Sequence, residues 1–342
     1  MARMKFIWFP VSLLLFCLAA SFLSFQTLPD SHEAERGSVA VITSEPEPVS
    51  YESFAVVSND DYSGRQWAIP KTMVPQAWEV TSGEASVVIA VLDTGIDSEH
   101  EDLVGKVIAE VNFTDSPTAD DIYGHGTHVA GIIAAAANNG AGIAGMACDC
   151  RLMNVKVADD YGIFYGSVAA KGVRWAVEHG AKVINMSLFS TEPSRDLEEA
   201  INYAWSKGVV VIAASGNCIG TKIAYPAYYS SCLAVAATDS NDCLASWSSW
   251  GDWVDLAAPG VDIYSTLPDG QYGSKSGTSM AAAHVSGLAG LLFALRSDKN
   301  SKGFINDEVR AAIEGSCDAV DPGAARGRIN AFHAVNKALT SK

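Results

Sequence analysis

Basic residues are scarce in this chain: 23 Lys and Arg stand against 39 Asp and Glu among 342 residues, a formal net charge of −16. Nucleic-acid affinity rests on cationic side chains that neutralise phosphates, so this balance excludes a nucleic-acid partner. Zinc-ligand patterns are missing too. The only local cysteine pair is Cys148-Asp-Cys150, without the two CxxC halves or matching histidines of a tetrahedral site, and no HExxH occurs. No segment recurs at a fixed period. Gly140-Ala-Gly-Ile-Ala-Gly145 matches GxGxxG, but a helical pattern precedes it and a strand pattern follows, the reverse of what a dinucleotide loop requires.

Hydrophobic residues make up 49% of the chain, charged residues 18%, and there are 29 glycines, a composition that suits a tightly packed globular α/β protein. Residues 1–25 begin with Arg3 and Lys5 and continue as an apolar run from Phe6 to Phe25. That pattern is an export signal, with an uncleaved membrane anchor as its alternative, so membrane association is expected only if the segment stays uncleaved. Residues 26–57 are acidic and contain Ser44-Glu-Pro-Glu-Pro-Val49, an extended spacer or short pro-segment below the size of about 40 residues under which chains seldom fold unaided. The remainder, 58–342, is expected to form one domain and a monomer. Apart from Cys17, six cysteines remain, at 148, 150, 218, 232, 243 and 317; in an exported chain an even count permits three disulfides in any of 15 pairings.

Short apolar runs at Ala85–Asp93, Arg151–Val157, Lys182–Leu188, Val209–Gly216 and Leu233–Thr238 predict central parallel strands. Between them, Thr127–Asn139, Gly166–His179 and Arg195–Lys207 have helical spacing, and Ser279–Ser297, Asn306–Gly315 and Asn330–Leu339 follow. The alternation predicts a three-layer, doubly wound α/β fold with a mostly parallel sheet and helices on both faces. Ser279–Ser297 is apolar on nearly every side and is expected to run through the core.

A serine hydroxyl becomes a useful nucleophile when an imidazole takes its proton and a carboxylate fixes that imidazole's tautomer. Asp93 ends a predicted strand, His125 lies between glycines at a helix start, and Ser279 opens the apolar helix, where backbone donors favour developing negative charge. Asn217 follows another strand through Gly216 and offers a side-chain amide as a second oxyanion donor. Each residue taken alone is more often a cap or a structural group. Together, VLDTGID at 91–97, GHGTHVAG at 124–131, AASGN at 213–217 and GTSMAAAHVSG at 277–287 resemble the four signatures of the subtilisin-like serine proteases, in that family's chain order.

The resemblance implies a secreted serine endopeptidase acting on proteins or peptides, with Asp93 orienting, His125 as general base and acid, Ser279 as nucleophile and Asn217 as oxyanion donor. It makes His128 and His284 structural. Substrate is expected between an edge at Ile163, Phe164 and Tyr165 and another at Ser187, Leu188, Phe189 and Ser190, beside Gly216. Asn138-Asn139-Gly140 resembles the calcium loop of subtilisin-like proteases and Asn59-Asp60-Asp61-Tyr62 the N-terminal stretch of the thermitase-type branch, which implies a structural calcium ion held by Asp60, Asp102, the Asn139 side chain and the carbonyls of Ala137, Ala141 and Ile143. Two departures stand out. Phe189 occupies a position where the family has glycine, and Ala283 one where it has proline. They bring in a peptide ligase or cyclase as an alternative on the same scaffold, with an inactive binding module as a third.

Overall fold

The computed structural model describes residues 58–295, 303–320 and 326–340. The expected leader and spacer lie outside the described residues. After a 3₁₀ turn at Ser63–Arg65, two short helices, α1 (Ala68–Lys71) and α2 (Val74–Trp78), lead into strands β1 (Val88–Asp93) and β2 (Val107–Asn112). Then come α3 (Gly126–Ala134), β3 (Arg151–Lys156), α4 (Gly166–Glu178), β4 (Val183–Met186), α5 (Arg195–Ser206), β5 (Val210–Ala214) and β6 (Cys232–Thr238). The described chain continues with β7 (Leu256–Pro259), a hairpin of β8 (Ile263–Leu267) and β9 (Gln271–Lys275), and helices α6 (Thr278–Ala294), α7 (Asn306–Glu314) and α8 (Ala331–Thr340).

Seven strands form one sheet in the order β2-β3-β1-β4-β5-β6-β7, with every pairing parallel. Strand side chains alternate between two apolar layers. Ile89, Val91, Leu152, Val183, Ile212 and Val235 join the core shared with α3 and α6, whereas Ala90, Leu92, Val155, Ile184, Val211 and Ala234 face α4 and α5. Both faces are covered, which is why these strands read as continuous apolar runs. α6 is buried from Thr278 to Phe293, as its all-round apolar composition predicts.

Differences from the sequence expectation have local causes. α3 stops at Ala134 because Ala135 turns to φ −50°, ψ 145° and the chain leaves the helix there. β2 is an edge strand with alternating half-buried and exposed positions, so it carries no continuous apolar run.

The disulfide expectation is not met. All six described cysteines are free thiols. Cys150 packs in the α3/α6 layer and Cys232 in the α4/α5 layer, on opposite faces of the sheet, where each serves as a small apolar side chain. Burial pushes the Cys148 thiol up to about 12 and that of Cys150 to about 11, far from reactive thiolate.

Candidate active site

The carboxyl ends of the parallel strands gather the predicted residues along one edge of the sheet, the position at which open α/β sheets bind ligands. Asp93 is the last residue of β1, Ser187 follows β4, and Asn217 lies three residues beyond the end of β5. His125 occupies the position just before α3, and Ser279 is the second residue of α6.

Asp93 is buried, and its Oδ1 accepts hydrogen bonds from the Thr94 amide at 2.8 Å and from His125 Nδ1 at 2.7 Å. With Nδ1 carrying the proton, the lone pair of His125 lies on Nε2. Burial pulls the His125 imidazole down, but the charge of Asp93 and its hydrogen bond more than offset this, leaving the group above its ordinary value of 6.5. The close approach depends on two glycines. A side-chain carbon on Gly126 would lie 2.0 Å from the Gly95 carbonyl oxygen, and one on Gly95 would lie 2.5 Å from the Ala119 carbonyl oxygen.

Two supporting charges escaped the sequence reading. Buried Asp121 accepts from Thr94 Oγ1 at 2.7 Å, the Gly124 amide at 2.8 Å and the Thr127 amide at 2.8 Å, so it caps α3 in place of His125, whose side chain makes no cap bond. Lys156, wholly buried at the end of β3, donates to the Thr94 carbonyl, to the Asp120 carbonyl at 2.9 Å, and pairs with Asp160 at 2.8 Å. That hydrogen-bonded ammonium holds the Asp160 carboxyl below the usual carboxylate range. A lone lysine closing an apolar strand was the available signal for it.

The other half is built from neutral groups. Asn217 Oδ1 accepts from the Thr278 amide at 3.0 Å and from Thr278 Oγ1 at 2.9 Å, which commits the oxygen and leaves Nδ2 as the outward donor. A carbon placed on Gly277 would sit 3.5 Å from Asn217 Nδ2 and 3.7 Å from the Ser279 amide nitrogen, so two donors border one space. The Ser279 hydroxyl donates to the Ser187 carbonyl at 3.1 Å, while Ser187 Oγ donates to the Ser279 carbonyl at 2.9 Å. The structure thus joins His125 to Asp93 directly, whereas the Ser279 hydroxyl is turned toward Ser187. His128 and His284 bond to the carbonyls of Gly273 and Met280, and burial lowers them to about 3 and about 4.

The expected substrate edges are mixed in character. Ile163 and Tyr165 are exposed, but Phe164 bridges back to Ala158 and packs on the α4/α5 core. Leu188 is likewise buried, and Ser190 is tied to Tyr225 by two backbone bonds of 2.8 Å.

Of the expected calcium residues, Asp60, Asp102 and Asn139 come together. Buried Asp60 accepts from the amides of Asn138 and Asn139 at 3.0 Å each. Fully buried Asp102 accepts from Asn139 Nδ2 at 2.9 Å, the Ile143 amide at 2.8 Å and Tyr272 Oη at 3.0 Å. Burial holds its carboxyl above the usual range, against those hydrogen bonds. Among the described residues no three His, Cys, Asp or Glu side chains converge as a metal site, so a cation here would rely on amide and carbonyl oxygens as well.

The model of the Subtilase family matches residues 84–329. The chain is 46% identical to thermitase of Thermoactinomyces vulgaris over 282 residues, 81% of this chain and 98% of that protein. It is 45% identical to a thermophilic serine proteinase of Bacillus sp. (strain AK1), over 80% of this chain and 68% of that one. A solved protease structure from Pseudoalteromonas arctica superposes with a TM-score of 0.75 at 29% identity, covering 82% of this chain and 99% of the other. With these matches and the parallel sheet beneath the site, the chain belongs to the subtilase family of serine endopeptidases, on its thermitase-type side.

Proposed function

We propose that this chain is an exported endopeptidase that cleaves proteins through an acyl-enzyme formed on Ser279. The observation that carries the reading is the 2.7 Å bond between Asp93 and His125, which leaves Nε2 as the base. Rotation of the Ser279 hydroxyl from the Ser187 carbonyl toward Nε2 lets His125 take its proton as Oγ attacks the scissile carbonyl. The developing oxyanion is held by Asn217 Nδ2 and the Ser279 amide, at the positive end of α6. Protonated His125 passes the proton to the leaving amine, then activates water to release the acyl group. α6 runs unbroken through Ala283, so the nucleophile stands on a complete helical turn.

A fluorophosphonate probe should label the wild-type protein at Ser279 and abolish casein hydrolysis, and Ser279→Ala should lose both. A folded wild type that is neither labelled nor proteolytic overturns the reading. Export is carried by the Arg3 and Lys5 flank and the apolar run to Phe25, and among the described residues no helix is long and apolar enough to cross a membrane.

The same reading includes a structural calcium ion at Asp60, Asp102, Asn139 and the carbonyls of Ala137, Ala141 and Ile143. The residues fit in kind: two buried carboxylates flank one loop, and turning the Asn139 amide would present an oxygen in place of Nδ2. When bound, the ion neutralises those carboxylates. Asp60 and Asn139 would then tie the N-terminal stretch to the 137–143 loop in the folded state alone. Thermal unfolding should occur at lower temperature in chelator and recover with added calcium; an unchanged Tm counts against the ion.

A further inference from the structure

The floor of the cleft beside Asn217 is not open. Gly216, with φ +96°, lies two residues beyond the end of β5, and a side-chain carbon built on it would lie 3.3 Å from Phe189 Cδ2, 3.4 Å from Phe189 Cγ and 3.3 Å from Ala224 Cβ. The space a side chain on Gly216 would take is therefore bordered by the Phe189 ring and the Ala224 methyl, beside the residue that precedes the oxyanion donor. The backbone on either side of Phe189 is pinned. Ser187 exchanges hydrogen bonds with Ser279 at 2.9 and 3.1 Å, and Ser190 exchanges two with Tyr225 at 2.8 Å. The ring itself is only part-buried, so it stands at a boundary between core and cleft.

Geometry dictates what that boundary meets. A carbonyl attacked by Ser279 Oγ, with its oxygen between Asn217 Nδ2 and the Ser279 amide, has its α-carbon one bond away. With its carbon at Ser279 Oγ and its oxygen at Asn217 Nδ2, the acyl residue lies against the segments after β4 and β5, which carry Ser187 and Asn217, and the gap between those segments is bordered by Phe189, Gly216 and Ala224. The geometry points to Phe189 as a specificity-determining residue that restricts the residue on the acyl side of the cleaved bond to small side chains, such as glycine, alanine and serine. This rests on the proposed protease reading and gives it a substrate class.

The test is a set of peptide anilides identical except for alanine, leucine or phenylalanine at the acyl position, with kcat/KM measured for wild type and Phe189→Ala. Wild type should favour alanine over phenylalanine by about 10-fold or more, because pocket fits that differ by even one methylene change rates by roughly 10- to 200-fold. Phe189→Ala should raise the ratio of kcat/KM for the phenylalanine substrate to that for the alanine substrate by about 10-fold or more. The wild-type ratio needs no variant and stands even if Phe189→Ala fails to fold. Protein that is labelled by fluorophosphonate at Ser279 yet cleaves after phenylalanine or leucine as readily as after alanine overturns the pocket assignment alone. Loss of labelling together with all cleavage overturns the protease reading and the pocket with it.

Discussion

The two halves of the site are held by different chemistry. Around Asp93 and His125 the supports are charged: Asp121 bonds Thr94 and the start of α3, and Lys156 clamps the carbonyls of Thr94 and Asp120. Around Ser279 they are neutral. Ser286 Oγ donates to Asn185 Oδ1, Asn185 Nδ2 to Ser187 Oγ, and Ser187 Oγ to the Ser279 carbonyl, each at 2.9 Å, while Thr278 orients Asn217. Buried charge tunes a proton acceptor, which must change its charge state during the reaction. A nucleophile and an oxyanion donor need fixed dipoles and no competing carboxylate. The division predicts that mutations in the charged half move pH dependence, and mutations in the neutral half move turnover alone.

The sharpest way to break that comparison is Asp93→Asn. Loss of the carboxylate removes the tautomer lock and should cost about 10⁴ in kcat. The sign of the pH effect follows from the raised pKa of His125. His125 must be neutral to act, so activity falls as pH drops through its folded value; without Asp93 that acid limb should move to lower pH. Stability runs the other way. The His125–Asp93 pair contributes fully below the unfolded value near 6.5 and loses that contribution as pH rises through the raised folded value. A kcat/KM profile for the variant with an unmoved acid limb would sever His125 from Asp93's field.

Asn217→Ala probes the neutral half. Removing one oxyanion donor costs on the order of 10² to 10³ in kcat, a magnitude measured in subtilisin, a member of the same family, and not in this chain. KM and the acid limb should both stay near wild type, because the Asn217 side chain bonds to Thr278 and carries no charge. Steady-state kinetics across pH will show whether it does. A shifted limb would mean that the halves are electrically coupled.

Much of this division was legible beforehand, and its gaps are instructive. Strands covered on both faces announce themselves as apolar runs, so β1, β3, β4, β5 and β6 could be placed from residue types alone. β2, half exposed and carrying Glu110 and Asn112, could not, nor could four-residue β7, which ends in Pro259. The four side chains of the proposed mechanism sit in motif strings that include the glycines and threonines shaping their turns. Their charged supports do not. Asp121 acts on α3 from four residues before His125, and Lys156 acts across three separate segments, so neither role is written in local spacing. Cysteine parity misled because an even count carries no information about which face of a sheet each thiol occupies. The placing of the Phe189 ring beside Gly216 was not legible either, since residue type alone does not say which way a ring on that segment turns.

Lys156→Met offers the finest test of the comparison, because it removes a charged support without touching a reacting group. Its side chain is fully buried while Asp160 remains 24% exposed, so the variant strands two carbonyls more than it strands a charge. Hydrogen bonds to charged groups contribute about 1.5 to 3 kcal/mol each, and loss of this clamp should lower Tm by roughly 5 to 10 °C. The Thr94 carbonyl adjoins Asp93, and the Asp120 carbonyl lies in the loop that enters α3, so slack in both should loosen the His125–Asp93 bond. Small displacements of a reacting pair are costly, and about a tenfold fall in kcat/KM is expected. The acid limb should fall with it toward lower pH, since a longer bond weakens the field that raises His125. Ser187→Ala, the matching change in the neutral half, should leave that limb in place. If Lys156→Met lowers Tm while kcat/KM and the limb hold still, the buried ammonium only braces the fold, and Asp93 and Asp121 suffice to set the base.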